Sequence, residues 1–122
     1  MRFDKFTLKV QEALQDAQSL ANQHGHQAID AEHLLLAFLN QTDSVISDII
    51  RKIEVDPAQI EAEMKRYIDR LPKVQGAGAG QSYITPRLNK IMDAAMTEAA
   101  RLTDEYVSAE HILIALSEEK EG

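Results

Sequence analysis

"AEHLLLAFL", Ala31 to Leu39, returns almost unchanged as "AEHILIAL", Ala109 to Leu116, in a chain of 122 residues. Both runs are apolar nearly all round, as Leu34, Leu35, Leu36, Phe38 and Leu39 show in the first. A helix without a polar face is a buried helix, so two core helices are expected here. A gap-free shift of 78 positions extends the match. It lays Thr7 on Thr85, Ala17 on Ala95, Ala21 on Ala99, Glu32-His33 on Glu110-His111, and Ala37 on Ala115. Repeats are read before residue detail because they decide the architecture.

Each copy opens with an amphipathic helix. Val10, Ala13, Leu14, Ala17, Leu20 and Ala21 keep helical spacing in the first copy. Leu88, Ile91, Met92, Ala95, Ala99 and Leu102 keep it in the second. Thr7 and Thr85 stand where N-caps belong, with Pro86 suited to the first helical turn. Asp30 and Ser108 are the expected N-caps of the two apolar helices. Between the copies, Ser44–Ile53 and the stretch after Asp56-Pro57 predict two more helices, the latter with Ile60, Met64, Tyr67, Ile68 and Leu71 on one stripe. The expectation is an all-α fold of two pseudo-symmetric repeats of a four-helix unit. Repeat one covers about 1–72 and repeat two 84–122, the second stopping after two helices. "KVQGAGAGQSY", residues 73–83, reads as a flexible linker.

Composition narrows the function. The chain has no cysteine, hence no disulfide framework and no thiolate chemistry. A formal net charge of −7 argues against a general nucleic-acid binder, which needs a basic surface. No apolar run approaches the roughly 20 residues that span a bilayer, and "MRFDKFTLKV" is too charged for a signal peptide. The glycines at 76, 78 and 80 lack the spacing of a dinucleotide or Walker loop. "HGH", His24 to His26, has no partner set at metal-ligand spacing, and neither Glu-His pair continues as HExxH. No Ser-His-Asp or Cys-His set can be assembled. The expectation is a non-enzyme with no metal and no cofactor of its own.

The repeated Glu-His pair has two readings. A carboxylate in a helix's first turn favours the positive end of the dipole, by roughly 0.3–1 kcal/mol. Alternatively, the Thr7 and Thr85 helix ends, with their free N–H groups, lie beside the glutamate of their own copy. Amides next to a carboxylate would then accept a ligand carrying both charges, or a polar peptide.

The stretch "FTLKVQEALQDAQSLANQHGHQAIDAEHLLLAFLNQ" resembles the N-terminal domain of the Clp unfoldases, the Clp repeat domain. "MRFDKFT" and "RLPKVQG" look like the ClpB disaggregase branch. The resemblance covers essentially the whole chain. It implies a module of a cytoplasmic, hexameric AAA+ ATPase that rescues aggregated polypeptides with the DnaK system. ATP and magnesium would belong to the parent's ATPase modules, whose Walker motifs this chain lacks. The module would bind unfolded or aggregated polypeptides, neither nucleic acid nor membrane, and would be monomeric in isolation.

The resemblance also implies site residues, Thr7, Asp104 and Glu110, on the functional surface, and the methionine-rich first helix of the second copy adds Met92 and Met96 as adaptable apolar contacts, Met96 at the edge of the core stripe. In the ClpC branch, paired Thr and Glu positions read phosphorylated arginine. Thr7 with Glu32, and Thr85 with Glu110, fall on those positions. An adaptor- or phospho-arginine-binding domain of the ClpC or ClpA type, serving a protease, is the alternative.

Overall fold

Short-range capping sets where each helix begins. The computed structural model describes residues 6–41, 44–71 and 83–117. Helix α1, Leu8–Gln23, starts at Thr7, whose hydroxyl accepts the Val10 N–H at 3.3 Å. Strand β1 is Ala28–Ile29, and α2 is Ala31–Asn40. Helix α3, Val45–Lys52, is capped by Ser44, and α4, Pro57–Arg70, by Asp56. Strand β2 is Tyr83–Ile84. Helix α5, Pro86–Arg101, starts at Thr85, which accepts the Leu88 N–H at 3.0 Å, and α6 is Ala109–Ser117. The architecture is all-α apart from two short strands that the periodicity did not announce.

Helices α1 and α5 turn matching stripes inward. Val10, Ala13, Leu14, Ala17 and Ala21 are buried on one, and Leu88, Ile91, Met92, Ala95 and Ala99 on the other. Against them lie Leu34 and Phe38 of α2 and Ile112 of α6, closing one shared core. Helix α2 pairs with α1, α6 with α5, and α3 reaches across to α6. Leu36 and Ile68 are buried outside this cluster, on α2 and α4, which pack together. Not all of "LLLAFL" is interior. Leu35 is only half-buried, because the face of α2 that carries Glu32 and Leu35 is turned partly outward.

Strand pairing crosses the copies. β1 and β2 run parallel, with Ala28 opposite Tyr83 and Ile29 opposite Ile84. A parallel bridge joins Phe6 to Val107. The Thr85 N–H donates to the Ile29 carbonyl at 3.1 Å, and the Thr7 N–H to the Val107 carbonyl at 3.0 Å. These two bonds join positions that are 78 apart on both sides. The linker expected at 73–83 lies outside the described residues up to 82, and its last residue, Tyr83, belongs to β2.

Candidate functional site

The Glu-His pairs are helix caps in which the histidine, not the glutamate, bonds back. At α2, His33 Nδ1 accepts the Asp30 backbone N–H at 3.0 Å, and Asp30 Oδ1 accepts from Ala31 at 2.7 Å. At α6, His111 Nδ1 accepts the Ser108 N–H at 2.9 Å. At α2 this completes a capping box with imidazole at the third helical position, where Glu or Gln is usual, and α6 shares the histidine half of it. The pattern was present in "DAEH" and "SAEH". Histidine is an uncommon acceptor at this position, where Glu or Gln is the familiar signal.

Each ring's second nitrogen meets a different group. His33 Nε2 lies 3.2 Å from Nδ1 of His26, and both rings are buried. Burial, together with the charge of His26 nearby, lowers the His33 pKa from 6.5 to about 4. His111 Nε2 lies 2.8 Å from Asp104 Oδ2. His26 and Asp104 are themselves 78 positions apart, and each N–H closes a helix end at 2.8 Å, on Ala21 and Ala99 respectively. The residues before them, Gly25 and Thr103, both have positive φ, 74° and 57°.

Thr85 and Thr7 lie at the opposite ends to those expected. Thr85 lies beside Asp30, donating its hydroxyl to Oδ1 at 3.1 Å, and Arg87 holds both Glu32 oxygens at 3.0 Å. Thr7 abuts Val107, three residues before Glu110. Thr85 is therefore at the end that carries Asp30, Glu32 and Arg87, and Thr7 at the end that carries Val107, three residues before the α6 acid Glu110. The two-residue strands force this by joining the start of one copy to the middle of the other. Glu32 is neutralised within the chain, and its charge also raises the Tyr67 pKa across from α4. Glu110 is exposed and accepts the Ser108 hydroxyl at 3.2 Å.

Two grooves flank the strands. One, of about 480 Å³, has Leu14, Ile29 and Ile84 as its floor and Gln11, Gln15 and Gln18 along α1. The other, of about 230 Å³, is lined by Met96, Ala99, Ala100, Val107 and the acids Asp104 and Glu105. Met96 is partly buried against the core and borders this second groove. Met92 does not. It fills the place that Leu14 holds in α1, fully enclosed at 0% exposure, and cannot touch a ligand. So the second groove gathers Met96 and Asp104, with Thr7 next to its wall residue Val107. Glu110 stands apart from its lining, and Glu32 and Thr85 lie at the other end of the strand pairing.

Among the described residues no helix is long and apolar enough to cross a membrane, and no group of three or more His, Asp or Glu could hold a metal ion. The family model for the Clp repeat (R) N-terminal domain matches residues 5–122. The chain belongs to the Clp N-terminal domain family. It is 42% identical over 122 residues to the chaperone protein ClpB of Bacillus cereus, a match taking 98% of this chain and 14% of that protein. Against ClpB of Porphyromonas gingivalis it is 37% identical over 116 residues, covering 95% and 13%. Among solved structures, the N-terminal domain of the ClpV1 ATPase from E. coli superposes with a TM-score of 0.87 at 24% identity, covering 96% of this chain and 70% of that one. The Hsp104 N-terminal domain of Candida albicans gives 0.84 at 21%, covering 95% and 75%. The chain thus spans about a seventh of the ClpB relatives, and within them it matches a Clp N domain and not an ATPase module.

Proposed function

We propose that this Clp N domain is the non-enzymatic client-engaging module of a ClpB-type, ATP-dependent disaggregase. Unfolded or aggregated polypeptides meet it at the Met96 groove and pass to the pore of a homohexamer built by the parent's ATPase modules, in the cytoplasm and with the DnaK system. One observation carries the reading: an apolar depression bordered by a methionine and by carboxylates. Methionine adapts to many side chains, as a site with varied clients requires. Affinity should be weak, since an unfolded client loses chain entropy on docking.

The test is a chemical-shift titration with reduced, carboxamidomethylated ribonuclease A, a soluble unfolded chain. Shifts should centre on Met96, Ala99, Ala100 and Val107, and persist in salt that screens ionic contacts beyond about 8–10 Å. Met96→Glu should weaken binding. Shifts confined to 57–70 of α4, with Met96→Glu binding normally, would place the client face elsewhere.

The crossed Thr7–Glu110 end supports a second reading, an adaptor or phospho-arginine site, because its carboxylate is exposed where Glu32 is held by Arg87. Phospho-arginine should then shift the amides of Ser108 and Glu110. Silence there up to millimolar ligand would remove that reading.

A further inference from the structure

We propose that His111 is a positioning residue for the Met96 groove. Its ring fixes the Asp104 carboxylate at the groove's rim and ties it to the first turn of α6. The proposal rests on the groove reading above and adds how its polar edge is set.

The geometry is a bridge across the hairpin between α5 and α6. His111 Nδ1 accepts the Ser108 N–H, which leaves the ring proton on Nε2. That proton is donated to Asp104 Oδ2 at 2.8 Å. The ring is buried, with 7% of its side chain exposed, while the aspartate is 51% exposed. An aspartate that open would sample several rotamers on its own. Its backbone is already fixed by the bond to Ala99, and the ring now fixes its carboxylate. One oxygen is held by the ring, and the other is left for a client N–H or cation entering the groove. The first copy shows that capping alone does not need this arrangement. His33 caps α2 in the same way, yet its second nitrogen meets buried His26 instead of a carboxylate at a groove.

The experiment uses the same ribonuclease probe with 15N-labelled histidine and methyl-labelled methionine. The His111 Nε2 resonance should move on titration with the same midpoint as the Met96 methyl, although the ring itself is enclosed. His111→Glu retains an acceptor for the Ser108 N–H, as in the usual capping box, but carries no proton to donate to Asp104. It should keep the fold and weaken binding about threefold, the scale of one modest hydrogen bond. In an Asp104→Ala background the same change should weaken binding no further. If the Met96 methyl responds while His111 Nε2 stays still, or if the two substitutions add, the positioning role is wrong and the groove stands. If the Met96 methyl does not respond either, the groove reading fails and takes this proposal with it.

Discussion

The N-terminal ends of α2 and α6 have the same backbone and opposite surroundings. Both use a histidine at the third position to bond back to the cap residue. Around α2 the site is closed: His26 covers the ring, Arg87 holds Glu32, and Thr85 holds Asp30. Around α6 the acids face outward: Asp104, which stands where His26 does in the first copy, lines a groove, and Glu110, the counterpart of Glu32, is exposed. The neighbouring grooves differ in the same direction. Gln18 and Ile29 border the first where Met96 and Val107 border the second, 78 positions on. The two ends thus keep matching core residues and histidine caps while their acids are held by Arg87 and Thr85 at one and exposed or at a groove at the other.

The largest test removes the shared part. Leu34 and Ile112 are counterparts at 0% exposure in one core. Leu34→Ala and Ile112→Ala should each cost roughly 2–5 kcal/mol in urea unfolding, through lost burial and the cavity left behind. Near-equal losses would mean both copies depend on one core. A loss below 1 kcal/mol at either would show that its helix packs independently.

Acid should separate the two caps. Folded His33 stays neutral down to about pH 4, whereas the unfolded chain takes up this proton near 6.5. Between those values the unfolded state binds more protons, so stability falls as the pH drops from 6.5 to 4. The loss at the low end is about 3 kcal/mol. His33→Gln keeps an acceptor for the cap and removes the titration. The difference in unfolding free energy between wild type and variant should slope through this window and be flat above pH 7. A difference that is flat throughout would show that burial of His33 does not control its proton.

The hairpins supply a smaller contrast. At the residue after the helix C-cap, copy one has Gly25 and copy two has Thr103, both at positive φ. A side chain branched at Cβ pays roughly 1–2 kcal/mol there and glycine does not. Thr103→Gly should raise stability by about 1 kcal/mol, and Gly25→Ala should lower it by a similar amount. Opposite signs confirm that one backbone turn is written with a suited residue in one copy and a strained one in the other.

How much of this was readable from sequence depends on distance along the chain. Thr7, Thr85 and Asp30 announce helix starts because their bonds span three residues or fewer, and Pro86 because its fixed φ suits the first helical turn. The inward stripes follow from periodicity alone. The crossing of the copies was not readable. It depends on strands two residues long joining positions 55 apart, Ala28 with Tyr83 and Ile29 with Ile84, and such short strands have no pattern to detect. Without that pairing, spacing alone sets each Thr beside the Glu of its own copy, whereas the strands bring Thr85 to Asp30. Met92 and Met96 look alike as letters, but periodicity puts Met92 on the inward stripe and Met96 at its edge, so the core residue and the groove residue were separable in the sequence. His33 and His111 were readable in principle, since each stands three places after a capping Asp or Ser.

The smallest expected effect is also the one that best defines the open end. Glu110 is exposed, in a first helical turn, bonded to the Ser108 hydroxyl. Its counterpart Glu32 takes two bonds from Arg87, with 15% of its side chain exposed. A carboxylate with solvent around it contributes little to folding, because water replaces what the protein supplies. Glu110→Ala should therefore change unfolding free energy by less than about 0.5 kcal/mol. If the residue serves a ligand, binding of the unfolded probe or of phospho-arginine should weaken while the melting temperature holds. A melting temperature that drops several degrees would mean that Glu110 is held within the fold, as Glu32 is held by Arg87.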